Sequence, residues 1–133
     1  MATLKISELS VGDWVEIDHE DYGWQVAQIN VCGDLGIGAY FKDIDPEEEY
    51  DCTLSQARPI PITPEILEAN GWRRNEEDEY MEYYGDPTSG IAHTKGTYHY
   101  RLEVPDVSAV CYFVHQLQHA LRLAGVNKEI VMP

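Results

Sequence analysis

Apolar and polar residues alternate along Trp14-Val15-Glu16-Ile17-Asp18, which puts Trp14, Glu16 and Asp18 on one face of a strand and Val15 and Ile17 on the other. Residues 24–31 repeat the pattern, with Trp24, Val26 and Gln28 opposite Gln25, Ala27 and Ile29. Residues 37–41 form a third apolar run, reached through the hairpin chemistry of Cys32-Gly33-Asp34. Residues 4–9 also alternate, and the turn Val11-Gly12-Asp13 leads from them into the first strand. Two polar stretches punctuate this region: 18–23, and the acidic 43–49 with its internal Pro46. Residues 50–54 return to the sheet as a short strand. Closely spaced short strands of this kind predict a small barrel.

The next stretch, Arg58-Pro59-Ile60-Pro61-Ile62-Thr63-Pro64-Glu65-Ile66-Leu67, reads as a joint. Its prolines impose an extended chain up to Ile62. Thr63 is placed as an N-cap, Pro64 occupies the first helical position, and Gly71 offers the left-handed exit. The joint divides the chain into lobes at 1–62 and 63–133. In the second lobe, 80–84 reads as a strand and 88–94 as a loop or weak strand. Residues 97–104 alternate cleanly, with Tyr98, Tyr100, Leu102 and Val104 on one face. Pro105 ends that strand. Asp106 or Ser108 then caps a helix whose stripe is Val110, Phe113, Val114, Leu117, Leu121 and Ala124, and Gly125 closes it. The tail 126–132 is extended and suited to an edge strand. The expected class is α+β: a small N-terminal barrel, a short helix, and an antiparallel sheet against one long C-terminal helix. The opening Leu9-Ser10-Val11-Gly12-Asp13-Trp14-Val15 is similar to the first strand of many SH3-like barrels, a fold that hosts unrelated functions.

Charge narrows the function classes. Twenty-four acids against nine bases give a formal −15, the wrong sign for direct nucleic-acid binding or for docking on anionic membranes. No apolar run approaches the ~20 residues of a membrane span, and the first residues lack a basic-then-apolar signal, so a cytoplasmic location is expected. Cys32, Cys52 and Cys111 lack CxxC spacing and fit reduced thiols.

Each candidate for chemistry meets an objection in the residues themselves. His115 and His119 lie four apart, as in an HExxH zinc helix, but Gln116 stands where the general base belongs. Asp43-Ile44-Asp45 opens like a calcium loop, yet Glu48 replaces the turn glycine and Leu54 the bidentate glutamate. Residues 33–38 are glycine-rich without phosphate-loop spacing or a following helix. Neither a metal nor a cofactor is therefore expected. Two surfaces remain. Trp14, Tyr22, Trp24 and Tyr40, with Phe41, offer an aromatic face suited to a peptide or protein. Asp43, Asp45, Glu47, Glu49 and Asp51 alternate, so an extended chain would hold them ~7 Å apart, the order of phosphate spacing along a nucleic-acid strand. Glu76, Glu77, Asp78 and Glu79, with Glu82, add a second acidic run.

Three stretches, in order along the chain, resemble a family of small uncharacterised proteins from Bacteroides-type gut bacteria, their phages and mobile elements. They are Leu9 to Val15, the joint from Pro59 through Asn70-Gly71-Trp72, and Phe113-Val114-His115-Gln116-Leu117-Gln118-His119-Ala120-Leu121. The resemblance implies a barrel followed by an α+β lobe and brings no assigned activity. The expected role is a non-enzymatic interaction module of a phage or mobile element, whose partner is a protein with a basic surface. The alternative is an acidic mimic of nucleic acid that inhibits a nucleic-acid-binding protein.

Overall fold

The computed structural model describes residues 4–133, which divide into two compact units, one ending at Ile60 and the other spanning Pro61–Pro133. In the first, β1 (Trp14–His19), β2 (Gly23–Gly33), β3 (Gly36–Phe41), β4 (Tyr50–Cys52) and β5 (Ala57–Pro59) form an antiparallel sheet in the order β4-β3-β2-β1-β5. The alternation read from the sequence sets the register. Val15 and Ile17 lie opposite Ala27 and Gln25, and Val15, Ile17, Ala27, Ile29, Ile37, Ala39, Phe41 and Ala57 form the core with Leu4 and Leu9.

The entry turn before β1 is held from inside. Asp13 is fully buried, its Oδ2 accepting from the Ser10 N–H at 2.9 Å, and Gly12 adopts φ +95°. The β2–β3 turn needs glycine at position 36: φ is +137°, and a Cβ would stand 2.5 Å from the Cys52 carbonyl oxygen. Two expectations change here. Residues 4–9 contain a 3-10 turn, Ile6–Glu8, in place of a continued alternation. The sheet is also not a closed barrel, since β4 and β5 stand at its two ends with no ladder between them among the described residues. Both are three residues long, and Pro59 in β5 has no N–H to give to a closing ladder.

The second unit opens with α1 (Pro64–Ala69), which the sequence specified residue by residue. Thr63 Oγ1 accepts from the Ile66 N–H at 3.3 Å, Pro64 starts the helix, Gly71 leaves it at φ +90°, and Ile66 and Leu67 face inward. Then come β6 (Arg73–Glu77), β7 (Met81–Gly85), β8 (Gly90–Thr94), β9 (Tyr100–Val104), β10 (Val107–Cys111) and α2 (Val114–Leu123), with the sheet ordered β10-β9-β8-β7-β6. Ile91, Tyr100, Leu102, Val114, Leu117 and Leu121 are buried, and α2 contacts β9 and β10.

Three corrections belong to this unit. The stretch expected as the first turns of a long helix is β10, so α2 is ten residues long. Pro105 and Asp106, the latter at φ 71°, make a two-residue hairpin that returns the chain onto β9. The helix starts late because Gln116 supplies its cap, its side-chain oxygen accepting from the Tyr112 and Phe113 N–H groups at 2.7 and 3.2 Å. Secondly, β6 is a strand with every residue exposed, and it carries Glu76 and Glu77. Finally, the tail after Gly125 forms no strand. Asn70 holds it in place, donating from Nδ2 to the Val131 carbonyl and accepting from the Val131 N–H, both at 2.8 Å.

Candidate functional site

In β1 and β2 the core takes the odd-numbered side chains, so the even-numbered positions present Trp14, Glu16, Trp24, Val26 and Gln28 on the other face. The register lines them up in rows. Trp14 pairs with Gln28, and Gln28 pairs with Tyr40 on β3; Glu16 sits between Val26 and Arg58. The Arg58 guanidinium lies 4.1 Å from the centroid of the Trp24 ring and donates from Nε to Glu16 Oε1 at 3.0 Å. Trp14, Trp24 and Tyr40 are each half-buried. Two of the aromatics expected with them go elsewhere. Phe41 is in the core, and Tyr22, 62% exposed in the β1–β2 turn, packs 5.0 Å from the ring of His19, which also contacts Phe41 and Tyr50. Parity along β1 and β3 explains the split: His19 and Phe41 share the core-side positions with Val15 and Ile17.

The acidic run of the first unit is exposed at Asp43, Asp45, Glu47, Glu49 and Asp51, but its regular spacing is not realised. Asp45 adopts φ 38° and its carbonyl accepts from the Glu48 N–H at 2.9 Å, so the chain turns where an extended segment was expected. Pro46 inside that turn is the local reason. Glu49 and Asp51 do converge. A Cβ on Gly38 would meet Glu49 Oε1 at 2.8 Å and Asp51 Oδ1 at 3.3 Å.

In the second unit, part of the acidic run maintains the fold. Glu77 pairs with Lys95 at 3.0 Å, and Asp78 Oδ1 accepts from the Tyr80 and Met81 N–H groups at 2.8 Å, which lowers its pKa. Glu76 and Glu79 are exposed. His115 is buried, 5.8 Å edge-on from the half-buried His119, and no group of three metal-ligating side chains gathers among the described residues.

Sequence reasoning missed two arrangements. Glu82 lies between His93, whose Nδ1 is 2.9 Å from Glu82 Oε1, and Arg74, whose Nη1 is 2.7 Å from Glu82 Oε2. These bonds hold the Glu82 carboxyl below its ordinary range. The other ring nitrogen of His93 faces the Thr97 carbonyl at 2.9 Å, and the ring stacks on Tyr100 at 4.2 Å. With both nitrogens occupied, His93 ties β7 to β8 and to the β8–β9 turn. Nearby Tyr84 and Tyr100 are pushed up by burial, Tyr100 to about 12. The second arrangement is a groove of ≈ 240 Å³ beside β10, lined by Val107, Ala109, Cys111, Gln116, His119 and Leu123 among others. Neither was legible, because each depends on strand neighbours distant in sequence. Comparison with family models, with curated proteins and with solved structures found no match for this chain.

Proposed function

We propose that the protein is a non-catalytic protein-interaction module of a phage or mobile element, and that its first unit supplies a binding face. The observation that carries this reading is the placement of Trp14, Trp24 and Tyr40 on the sheet face opposite the core, with Arg58 stacked on Trp24. Large rings with a polar edge are the side chains that contribute most at protein interfaces. An arginine already paired to Glu16 adds directional donors at little further ordering cost. The strand order supports reading this unit as SH3-like: a four-strand meander, a 3-10 turn at Leu54–Gln56, and a fifth strand returning to β1. The formal charge of −15 favours a partner with a basic surface. The nucleic-acid-mimic alternative has less support, because the turn at Asp45 breaks the regular carboxylate spacing on which it depends.

The test is affinity capture from a host lysate with the wild-type chain and with Trp14→Ala, Trp24→Ala and Tyr40→Ala, all confirmed folded by circular dichroism. The expected result is one protein retained by the wild type and lost by Trp24→Ala. Equal retention by all three variants removes the aromatic face from the function.

A further inference from the structure

The ring of His93, only 8% exposed, is faced by an oxygen at each of its nitrogens. Glu82 Oε1 lies 2.9 Å from Nδ1, and the Thr97 carbonyl oxygen lies 2.9 Å from Nε2. A carbonyl only accepts, and so does an ionised carboxylate, whereas a neutral imidazole has one N–H and one lone pair. Both oxygens are therefore satisfied together only by the doubly protonated imidazolium. A protonated Glu82 donating to a neutral ring would also satisfy them, but Arg74 opposes it. Its Nη1 lies 2.7 Å from the other oxygen, Oε2, and with His93 and Arg74 both upon it the Glu82 carboxyl is held below its ordinary range.

The surroundings favour the charged ring on balance. On β9, Tyr100 stacks against it with 4.2 Å between centroids and 12° between planes, and the face of a phenol ring attracts a cation. Tyr100, Tyr84 on β7 and Cys111 opposite Tyr100 on β10 are all pushed up by burial, so they bring no charge. On α1, Glu65 adds to the rise of both phenols and Glu68 to that of Tyr84, which places two carboxylates on this side. The cations are Arg74 on β6 and Lys95 in the β8–β9 turn. Each is already paired, Arg74 with Glu82 and Glu77, and Lys95 with Glu77 at 3.0 Å. Carboxylates thus outnumber cations around the ring.

Loss of one proton has a defined structural consequence. The ring keeps the N–H that faces Glu82, because a hydrogen bond to an ionised acceptor is about twice as strong as one to a neutral carbonyl. A lone pair then opposes the Thr97 carbonyl oxygen. Thr97 belongs to the turn 95–99, which contains Gly96 at φ +85° and Tyr98, 84% exposed. The other ties of this turn are short-range or at its start. The Thr97 N–H and Oγ1 donate to the Thr94 carbonyl at 3.2 and 2.7 Å, and the Lys95 N–H donates to the Tyr80 carbonyl at 2.8 Å. We infer that His93 is a protonation switch, whose imidazolium locks the β8–β9 turn onto the sheet and whose loss of one proton frees the turn that presents Tyr98. By linkage the stabilisation belongs to the protonated form. It is present on the acid side, while Glu82 stays ionised, and is lost as pH rises through the titration of His93. The switch belongs to the second unit and is independent of the aromatic face of the first.

The experiment is nuclear magnetic resonance of the histidine ring nitrogens in isotopically labelled full-length protein, followed with amide exchange between about pH 5 and 8. At neutral pH, where an unpaired imidazole is mostly neutral, both nitrogens of His93 should be protonated. Exchange at the Thr97 amide, corrected for its intrinsic rise with pH, should accelerate roughly tenfold as the His93 signals move, the effect of losing one hydrogen bond to a charged group. Glu82→Gln keeps the side-chain shape and removes the charge. It should leave His93 with a single ring proton at neutral pH and the Thr97 amide already fast there. A single ring proton on wild-type His93 at neutral pH would overturn the inference. So would Thr97 exchange that ignores the titration of His93 or follows that of His99, and so would a Glu82→Gln ring that still carries both protons. The wild-type spectrum reads the charge state directly, so a variant that fails to fold still leaves the question decided.

Discussion

The two units differ in how much of their charge is solvated and how much is built into the fold. Residues 1–60 carry 13 acids and 3 bases, and residues 61–133 carry 11 acids and 6 bases. In the first unit the acids crowd a solvated loop, and the pairs Lys42–Asp43 and Arg58–Glu16 lie at or near the surface. In the second, carboxylates are built into the fold. Asp86 receives the Lys128 ammonium at 2.6 Å and the Thr88 and Ser89 N–H groups at 2.7 and 2.8 Å. Ser89 in turn accepts from Trp72 Nε1 at 2.9 Å, and the Lys128 ammonium lies 4.8 Å from the Trp72 ring centroid. The same residue type is thus mostly a solvated charge in the first unit, the buried Asp13 excepted, and in the second also a structural ligand, and burial makes the difference.

The two tryptophan environments give the largest expected contrast. Trp72 is 0% exposed, and Trp72→Ala should cost about 3–5 kcal/mol. Trp24 is half-buried beneath Arg58, and Trp24→Ala should cost about 1–2 kcal/mol. Urea denaturation followed by circular dichroism measures both, and equal losses would erase the distinction.

Acid should reveal the structural carboxylates next. Burial works to raise the Asp86 carboxyl, but bonds from Lys128, Thr88 and Ser89 outweigh it and hold the pKa at about 2, while Glu82 is lowered by His93 and Arg74. Folding therefore favours the ionised forms. The stabilisation from Asp86 is present above its ordinary value of 3.8 and is lost as pH falls toward about 2; that from Glu82 is present above 4.5 and is lost as pH falls below it. Asp86→Asn should cost about 1.5–3 kcal/mol at neutral pH, and the gap from wild type should close on acidification through that window. A gap independent of pH would mean that the Asp86 charge contributes nothing. At the small end, Asp43→Asn and Glu47→Gln should shift the urea midpoint by no more than about 0.5 kcal/mol equivalent, since both side chains are exposed.

The chain from Thr63 to Gly71 was legible because every signal in it is local: a cap, a proline at the first position, a glycine exit. The half-buried strands β1 and β2 were legible because alternation with period two has one interpretation when a turn bounds it on each side. Residues 107–111 were not. Val110, Val114, Leu117 and Leu121 satisfy helical spacing, while Val107, Ala109 and Cys111 satisfy strand spacing, and β9 decides between them by pairing with the strand. The exposed strand β6 has no apolar face for periodicity to find. For the candidate surfaces, Trp14, Trp24 and Tyr40 were identified from residue type, but the separation of Tyr22 from them required the register.

By itself the sequence determined what short-range physics controls: the charge, the α1 helix and the alternating strands. Tertiary structure decided which acids are solvated and which are ligands, where α2 begins, and that β10 ends a sheet beside an apolar groove. Those outcomes depend on desolvation and on pairing between distant segments, and neither is encoded in the spacing of neighbouring residues.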